Sequence, residues 1–162
     1  HKKFKTPFKK NNVITLMPRK LGDHFHILSL LLFKKLPKKW KIESLSNLDE
    51  KKLLEKLSKS KIFLSFSYLE GFGLPPLEAA IAGNKVIGYT GEGGKEYWRE
   101  PLFTEISNGD FLKFTKEILK FIKKGKKGKT FNLERNKLIK NFSYDLEKRN
   151  IKLMINKIRT FF

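Results

Sequence analysis

The sequence has 162 residues, of which 40% are hydrophobic, and this suffices for one compact domain with its own core but not for two. It contains no cysteine, which excludes disulfides and thiolate metal sites and agrees with a reducing cytoplasmic compartment. No apolar run reaches the roughly 18 residues of a membrane span, and none resembles a secretory h-region. We therefore expect a cytoplasmic domain that can bind a membrane only peripherally.

The formal net charge of +20 would ordinarily suggest a nucleic-acid partner. However, 31 of the 36 basic residues are Lys and only 5 are Arg, a bias that is typical of an AT-rich genome. Arg is the residue that forms forked contacts with bases and phosphates. The composition therefore disfavours nucleic acid and favours an anionic membrane surface or a lipid-linked substrate as the partner of the basic face.

Short apolar runs alternate with amphipathic segments along the chain. The runs predict five buried strands, and the segments between them predict helices. Asp23 is expected to cap the first helix, whose leucines from Leu28 to Leu36 should be core and which should stop at Pro37. The predicted strands are 13–17, 40–45, 62–66, 85–89 and 103–106; the predicted helices are 23–36, 50–59, 75–82, 110–123, 132–141 and 143–159.

This alternation predicts an α/β fold, namely a Rossmann-like open parallel sheet of about five strands with helices on both faces. The simplest strand order is 2-1-3-4-5. Residues 1–12 are interpreted as a basic lead-in, residues 13–123 as the ligand-binding domain, and residues 124–162 as a basic hinge with two closing helices. Ligands of such sheets bind at the carboxyl ends of the strands.

The stretch 61–83 combines a buried strand, a glycine turn and a helix start. Gly71 and Gly73 let the backbone turn tightly and approach a ligand, and Pro75 and Pro76 then open a helix. Since prolines have no N–H, an anion at this helix start must be held by the earlier amides, from Gly71 to Leu74. Two carboxylates bracket the turn, those of Glu70 and Glu78, and they suit a ligand rich in hydroxyl groups.

Other candidate site residues also follow strands. Arg19 and Lys20 come after the first strand, and Gly93 and Gly94 lie in the loop after the fourth, so all are expected to converge on the crevice beside the glycine turn. The two cations can instead be solvated surface charges, and the two glycines can serve only to turn the chain. His24 and His26, two apart on a helix, point to different sides and are interpreted as surface residues, so no metal site is expected.

The segment EGFGLPPLE, from Glu70 to Glu78, resembles the E-x7-E motif of retaining GT-B glycosyltransferases of family four. The similarity covers roughly residues 13–122: the strand ending in MPRK and the run from IFLSFS through VIGYTGEGGKEYW resemble a bacterial branch of that family. It implies the C-terminal, nucleotide-sugar-binding domain of such an enzyme. By this resemblance Glu78 holds the ribose hydroxyls, Glu70 is the catalytic carboxylate facing the donor sugar, and the backbone of Gly71, Phe72, Gly73 and Leu74 contacts sugar and phosphate.

The resemblance also implies partners. The family places an Arg and a Lys after its first strand to neutralise the diphosphate; here Arg19 and Lys20 are adjacent, which departs from its usual spacing. The base is expected to be held among residues 45–48. The implied reaction moves a hexose from a nucleotide-diphosphate sugar to a glycan or lipid-linked acceptor, as part of glycan biosynthesis and without a metal cofactor. An N-terminal acceptor domain is expected to be missing, so that this fragment should bind the nucleotide but transfer no sugar. The alternative is a non-catalytic module that binds a nucleotide or a polyanion.

Overall fold

The computed structural model describes residues 9–18, 21–124 and 128–160. Strands and helices alternate through these ranges, as the hydrophobic pattern predicts. Arg19, Lys20 and the middle of the predicted hinge lie outside the described residues. The strands are β1 Val13–Leu16, β2 Lys41–Ser44, β3 Ile62–Glu70, β4 Lys85–Glu92 and β5 Phe103–Glu105; the α-helices are α1 Gly22–Leu32, α2 Glu50–Lys59, α3 Leu74–Ile81, α4 Phe111–Lys124, α5 Lys129–Asn141 and α6 Tyr144–Arg159.

All five strands form one parallel sheet in the order β2-β1-β3-β4-β5, which confirms the predicted fold class and strand order. The chain adds β2 on one side of β1 and then returns to add β3 on the other side. At this point the direction of strand addition reverses, and loops leave the sheet in opposite directions. A crevice is expected there, between the carboxyl ends of β1 and β3.

Helices cover both faces of the sheet because the strands are apolar on both sides. One face packs against α1 and α4, the other against α2, α3 and α5. The side chains at the centre of the first face include Ile14, Leu28, Leu32, Ile62, Phe114 and Ile118, and those of the second face include Leu57, Phe63, Leu77, Ala80, Val86 and Phe131.

Three helices start at a polar capping residue. Asp49 and Asp110 each accept a hydrogen bond from the backbone N–H three residues on, at 2.8 and 2.9 Å, and thereby start α2 and α4. Ser143 Oγ accepts from the N–H of Leu146 at 3.3 Å and starts α6 in the same way.

The first helix differs from its prediction. Leu21, with a left-handed φ of 52°, takes the N-cap position, so Asp23 lies inside the first turn and does not cap the helix by a side-chain hydrogen bond. The helix ends at Leu32, and turns carry the chain on to Pro37. The leucine stripe is only partly core: Leu28 is fully buried, whereas Leu30, on the opposite side of the helix, is 65% exposed.

Two strands run further than their apolar runs predict. β3 continues to Glu70 and β4 to Glu92 because backbone pairing, which needs no apolar side chain, extends through Ser67↔Thr90 to Glu70↔Glu92. The register shifts between Ser67 and Glu70. As a result, Glu70 is the last residue of the central strand.

The last helix, α6, has no buried residue. Ile151, Met154, Ile155 and Ile158 lie on one side of this helix and are all exposed. In the described part of the chain, no helix has the length and apolar character needed to cross a membrane.

Candidate functional site

A cavity of about 580 Å³ opens at the carboxyl edge of the sheet, at the point where strand order reverses. Its wall combines the residues just after β1, the loop after β2, one residue of α2, residues along β3 and the first turn of α3. The described residues that line it are Met17, Pro18, Leu45, Ser46, Asn47, Leu48, Leu53, Phe63, Leu64, Ser65, Phe66, Ser67, Glu70, Pro75 and Pro76.

Polar side chains of β3 form one side of this cavity. Glu70 is half-buried, and Ser67 Oγ lies 3.4 Å from Glu70 Oε1, where it can donate a long hydrogen bond. Ser65 Oγ donates to the Tyr89 carbonyl at 2.9 Å and so fixes β3 to β4 beside the cavity. Sequence reasoning missed both serines. Their signal is the alternation of Ser65 and Ser67 at the end of an otherwise apolar buried strand.

The loop after β2 forms the opposite side of the cavity. Leu45, Ser46, Asn47 and Leu48, the segment expected to hold a base, all line it. Asn47 has a left-handed φ of 52°, a conformation that Asn tolerates better than most residues. Ser44 Oγ and Ser46 Oγ share a hydrogen bond of 2.8 Å, which braces the loop against the end of β2. The cavity therefore has an apolar and amide-bearing wall facing a carboxylate-bearing one.

The glycine turn joins β3 to α3 and is held by a tyrosine. Tyr97 Oη donates to the carbonyls of Gly73 at 2.6 Å and Phe72 at 3.0 Å. Gly73 has a φ of 75°, and a Cβ there would lie 2.8 Å from Tyr97 Oη. Glycine is therefore required at position 73 by the protein's own packing. A Cβ at Gly71 would meet nothing within 4 Å, so this end of the turn is open.

The loop after β4 packs directly on the glycine turn. Residues Gly93–Glu96 form a single 3₁₀ turn, and a Cβ at Gly93 would lie 1.8 Å from the Gly71 carbonyl oxygen. Gly94 is buried against the rings of Tyr97 and Trp98. The structure thus brings Gly93 and Gly94 to the glycine turn, but neither is among the described residues that line the cavity.

The electrostatics of the tyrosine support its structural role. Burial raises the pKa of the Tyr97 hydroxyl, and the charges of Glu96 and Glu70 raise it further. The hydroxyl therefore keeps its proton and remains a donor to the turn at any physiological pH. A neutral donor is what two backbone carbonyls need.

The other predicted site residues lie beside the cavity or outside the described part of the chain. Glu78 is half-buried on α3, three residues after Pro75 and hence on the same side of the helix as that proline. Gly71, Phe72, Gly73 and Leu74 connect two lining residues, Glu70 and Pro75, without lining the cavity themselves. Arg19 and Lys20 lie outside the described residues.

The interpretation of both histidines as surface residues is wrong for one of them. His24 is half-buried: its Nδ1 lies 2.9 Å from Tyr89 Oη, and its ring meets Phe111 edge-on. His26 is exposed, so the two do point to different sides of α1. Within the described ranges, no group of three or more His, Asp or Glu side chains is placed to hold a metal ion.

The five-stranded parallel sheet with helices on both faces and a crevice at its switch point defines a Rossmann-like α/β domain. Among solved structures, a chain of the "Crystal structure of GtfA/B complex" is similar, with a TM-score of 0.68 and 15% identity; the match covers 96% of this chain and 37% of that one. No curated protein sequence matches. Residues 4–143 match the family described as "Glycosyl transferases group 1". The chain therefore belongs to this glycosyltransferase family.

Proposed function

We propose that this chain is the donor-binding domain of a retaining glycosyltransferase that moves a sugar, of the hexose type, from a nucleotide-diphosphate sugar to a glycan or lipid-linked acceptor. One observation carries the proposal: in a chain of this family, the switch-point cavity is lined by Glu70, by the first turn of α3 and by the loop after β2. These are three elements of different chemistry around one space of about 580 Å³.

The diphosphate is assigned to the glycine turn. Pro75 and Pro76 have no N–H, and the N–H of Leu77 donates to the Gly73 carbonyl at 3.4 Å, so the amides of Gly71 to Leu74 are those that the turn can offer to an anion. Breaking the glycosyl–phosphate bond leaves negative charge on the diphosphate. Amides that already point at this charge lower the barrier, and in this account Arg19 and Lys20 add cations.

The two carboxylates are given separate roles in the proposal. Glu78 accepts hydrogen bonds from the ribose hydroxyls, since it lies on the side of α3 that carries Pro75, a cavity-lining residue. Residues 45–48 face the base from the other wall. Glu70, at the end of β3, reaches past the diphosphate toward the donor sugar and acts as the catalytic carboxylate.

The acceptor is assigned to residues beyond this chain, which spans 37% of the GtfA/B chain it matches. In this account the reaction needs no metal cofactor, because amides and cations balance the charge of the leaving diphosphate. The 162-residue chain alone should then bind nucleotide but transfer no sugar. Transfer to a defined acceptor by this chain alone would contradict that division of labour.

Calorimetric titration with UDP, GDP, ADP, CDP and dTDP, with and without an attached sugar, tests the proposal. We expect one nucleotide to bind in one-to-one stoichiometry, and its sugar conjugate to bind at least as well. Binding of every nucleotide with equal affinity and a steep loss with added salt would instead favour a polyanion-binding module. Absence of binding to all of them would contradict the proposal.

A further inference from the structure

The first helix exposes an apolar stripe. Leu28 and Leu32 face the core, but Ile27, Leu30 and Phe33 are 41%, 65% and 80% exposed. These three are spaced by three residues and therefore share one side of α1 and the turn that follows it. Single exposed apolar residues are common on proteins, whereas an aligned set marks an interaction surface.

Four exposed lysines follow the stripe at once: Lys34, Lys35, Lys38 and Lys39. Throughout the part of the chain that the structure describes, none of them takes part in an ion pair. The sequence has no Asp or Glu from position 24 to position 42, so their charge is not offset by neighbours in the chain. We name Ile27, Leu30, Phe33 and these four lysines the α1 patch.

The α1 patch lies away from the cavity. In a parallel α/β sheet each helix runs back against its strand, so the end of α1 is at the amino edge, opposite the carboxyl edge that holds the cavity. α4 packs beside α1 on the same face and also ends at the amino edge, with Lys123 and Lys124 exposed. The basic surface therefore continues across two helices and leaves the cavity open.

We propose that the α1 patch docks this domain on an anionic lipid bilayer. The stripe enters the interface between headgroups and acyl chains, and the lysines contact anionic headgroups. A nucleic acid would use the lysines but would leave Ile27 and Leu30 without a partner. This inference concerns a surface separate from the cavity and does not depend on the proposed function.

The other exposed apolar side, on α6, fits a bilayer less well. Glu147 lies four residues before Ile151 and seven before Met154, so a carboxylate stands within that apolar side. A carboxylate is repelled by anionic lipid and is costly to dehydrate. The α1 patch contains no such group.

Co-sedimentation of the 162-residue chain with vesicles tests the proposal. We expect binding to mixed phosphatidylglycerol–phosphatidylcholine vesicles and little binding to pure phosphatidylcholine. Changing Lys34, Lys35, Lys38 and Lys39 to Gln should weaken binding about five-fold for each lysine removed. Phe33→Ser should weaken it about ten-fold, since a large apolar side chain no longer enters the lipid. An unchanged melting temperature would show that these exposed positions do not alter the fold.

Matched changes on α5 and α6 serve as controls. Replacing Lys140, Lys148, Lys152 and Lys157 by Gln removes the same charge, and Met154→Ser removes an exposed apolar side chain outside the α1 patch. Both controls should retain most of the vesicle binding. If the controls lost binding and the α1 variants kept it, the proposal would be overturned. The proposal would also be overturned if the α1 variants lost DNA binding or self-association but still bound vesicles.

A local probe separates insertion from simple charge attraction. In the Phe33→Trp variant, the new indole should shift its emission to the blue on phosphatidylglycerol vesicles and be quenched by brominated lipid. Trp40 and Trp98 are at most 9% exposed and should contribute a constant background. Co-sedimentation without any shift or quenching at position 33 would contradict docking through the α1 patch.

Discussion

At the scale of single residues, the role assigned to Glu70 depends on its position. Because β3 extends through the polar positions after Phe66, this carboxylate ends the central strand and lines the cavity, with Ser67 Oγ 3.4 Å from its Oε1. A group at the end of a rigid strand is held in place more firmly than one in a loop. This favours a part in the chemistry over a part in binding alone.

In the proposed two-domain enzyme, Glu70→Gln should lower kcat by something on the order of 10² to 10⁴, with little change in donor KM. The reason is that a hydrogen bond to the sugar strengthens as charge separates in the transition state. Steady-state kinetics with varied donor would measure this. Near-normal turnover with poorer donor binding would show that Glu70 only binds the donor. A product with inverted anomeric configuration would contradict the retaining mechanism.

Glu78→Ala should weaken nucleotide binding by about 1 to 3 kcal/mol, the scale of lost charged hydrogen bonds. Calorimetry would measure it, and circular dichroism would check that α3 remains folded. Glu147→Ala is the matched control, since it removes the same group from the exposed side of α6. Equal affinities of the two variants would exclude Glu78 from the site.

At the scale of elements, the site depends on the contact between the glycine turn and the loop after β4. The hydroxyl of Tyr97 ties the two loops together, because its one proton is shared between the carbonyls of Gly73 and Phe72. Gly73 is glycine partly to admit this hydroxyl, and Gly93 is glycine because it lies on the Gly71 carbonyl. These glycines therefore contribute to the site indirectly, because they let the two loops pack closely together.

Tyr97→Phe should lower the free energy of unfolding by about 1 to 3 kcal/mol, since two carbonyls lose their shared donor. It should also weaken nucleotide binding, because the amides of the turn would no longer be held in place. Chemical denaturation and calorimetry would measure the two effects. Tyr144→Phe, at a position 65% exposed, should change neither. If Tyr97→Phe lowered the free energy of unfolding but left nucleotide affinity unaltered, the glycine turn would not be part of the nucleotide site.

A buried polar network holds the opposite edge of the sheet. The Asn84 amide donates to the carbonyls of Leu57 at 2.8 Å and Ala79 at 2.9 Å, and its oxygen accepts from Ser60 Oγ at 2.7 Å. It thereby joins the ends of α2 and α3 just before β4 begins. Such a fully bonded group specifies how the two helices end.

Asn84→Ala should lower the free energy of unfolding by about 2 to 4 kcal/mol, because it leaves buried hydrogen-bonding groups without their partner. Nucleotide affinity should persist in the folded fraction, since the network is at the edge away from the cavity. Denaturant titration would measure the stability, with the exposed Asn136→Ala as control. A stable variant that has lost binding would contradict this separation.

At the scale of the whole molecule, much of the fold could be predicted from sequence. Alternating apolar runs and amphipathic segments gave all five strands in their order, and α2 at its observed bounds, because the long-range rules for parallel sheets leave few topologies. The ends of β3 and β4 could not be predicted, because backbone pairing carries them through polar residues. The exposed side of α1 could not be predicted either, because apolar spacing alone does not say which of two sides is covered. The left-handed Leu21 could not be predicted, because no apolar pattern reports a backbone dihedral.

The candidate site was predictable where it follows strand ends, and less so elsewhere. The carboxyl-end rule led to Glu70, the glycine turn and the loop after β4, and the family resemblance added residues 45–48. Ser65 and Tyr97 were missed because their hydrogen bonds reach elements distant in sequence. Ser67 is only three residues from its partner Glu70, and the alternation of Ser65 and Ser67 along β3 could have indicated it. The contact of His24 could not be predicted, because its partner, Tyr89, lies 65 positions away.

The most direct test of the central claim is an amide NMR titration of the ¹⁵N-labelled chain with the nucleotide diphosphate that binds best. We predict shifts centred on the amides of Gly71 to Leu74, which connect the lining residues Glu70 and Pro75, and on Ser46 and Asn47, which line the cavity. The lysines at the end of α1 should be unaffected. Shifts centred on those lysines, with the glycine turn unchanged, would contradict the account.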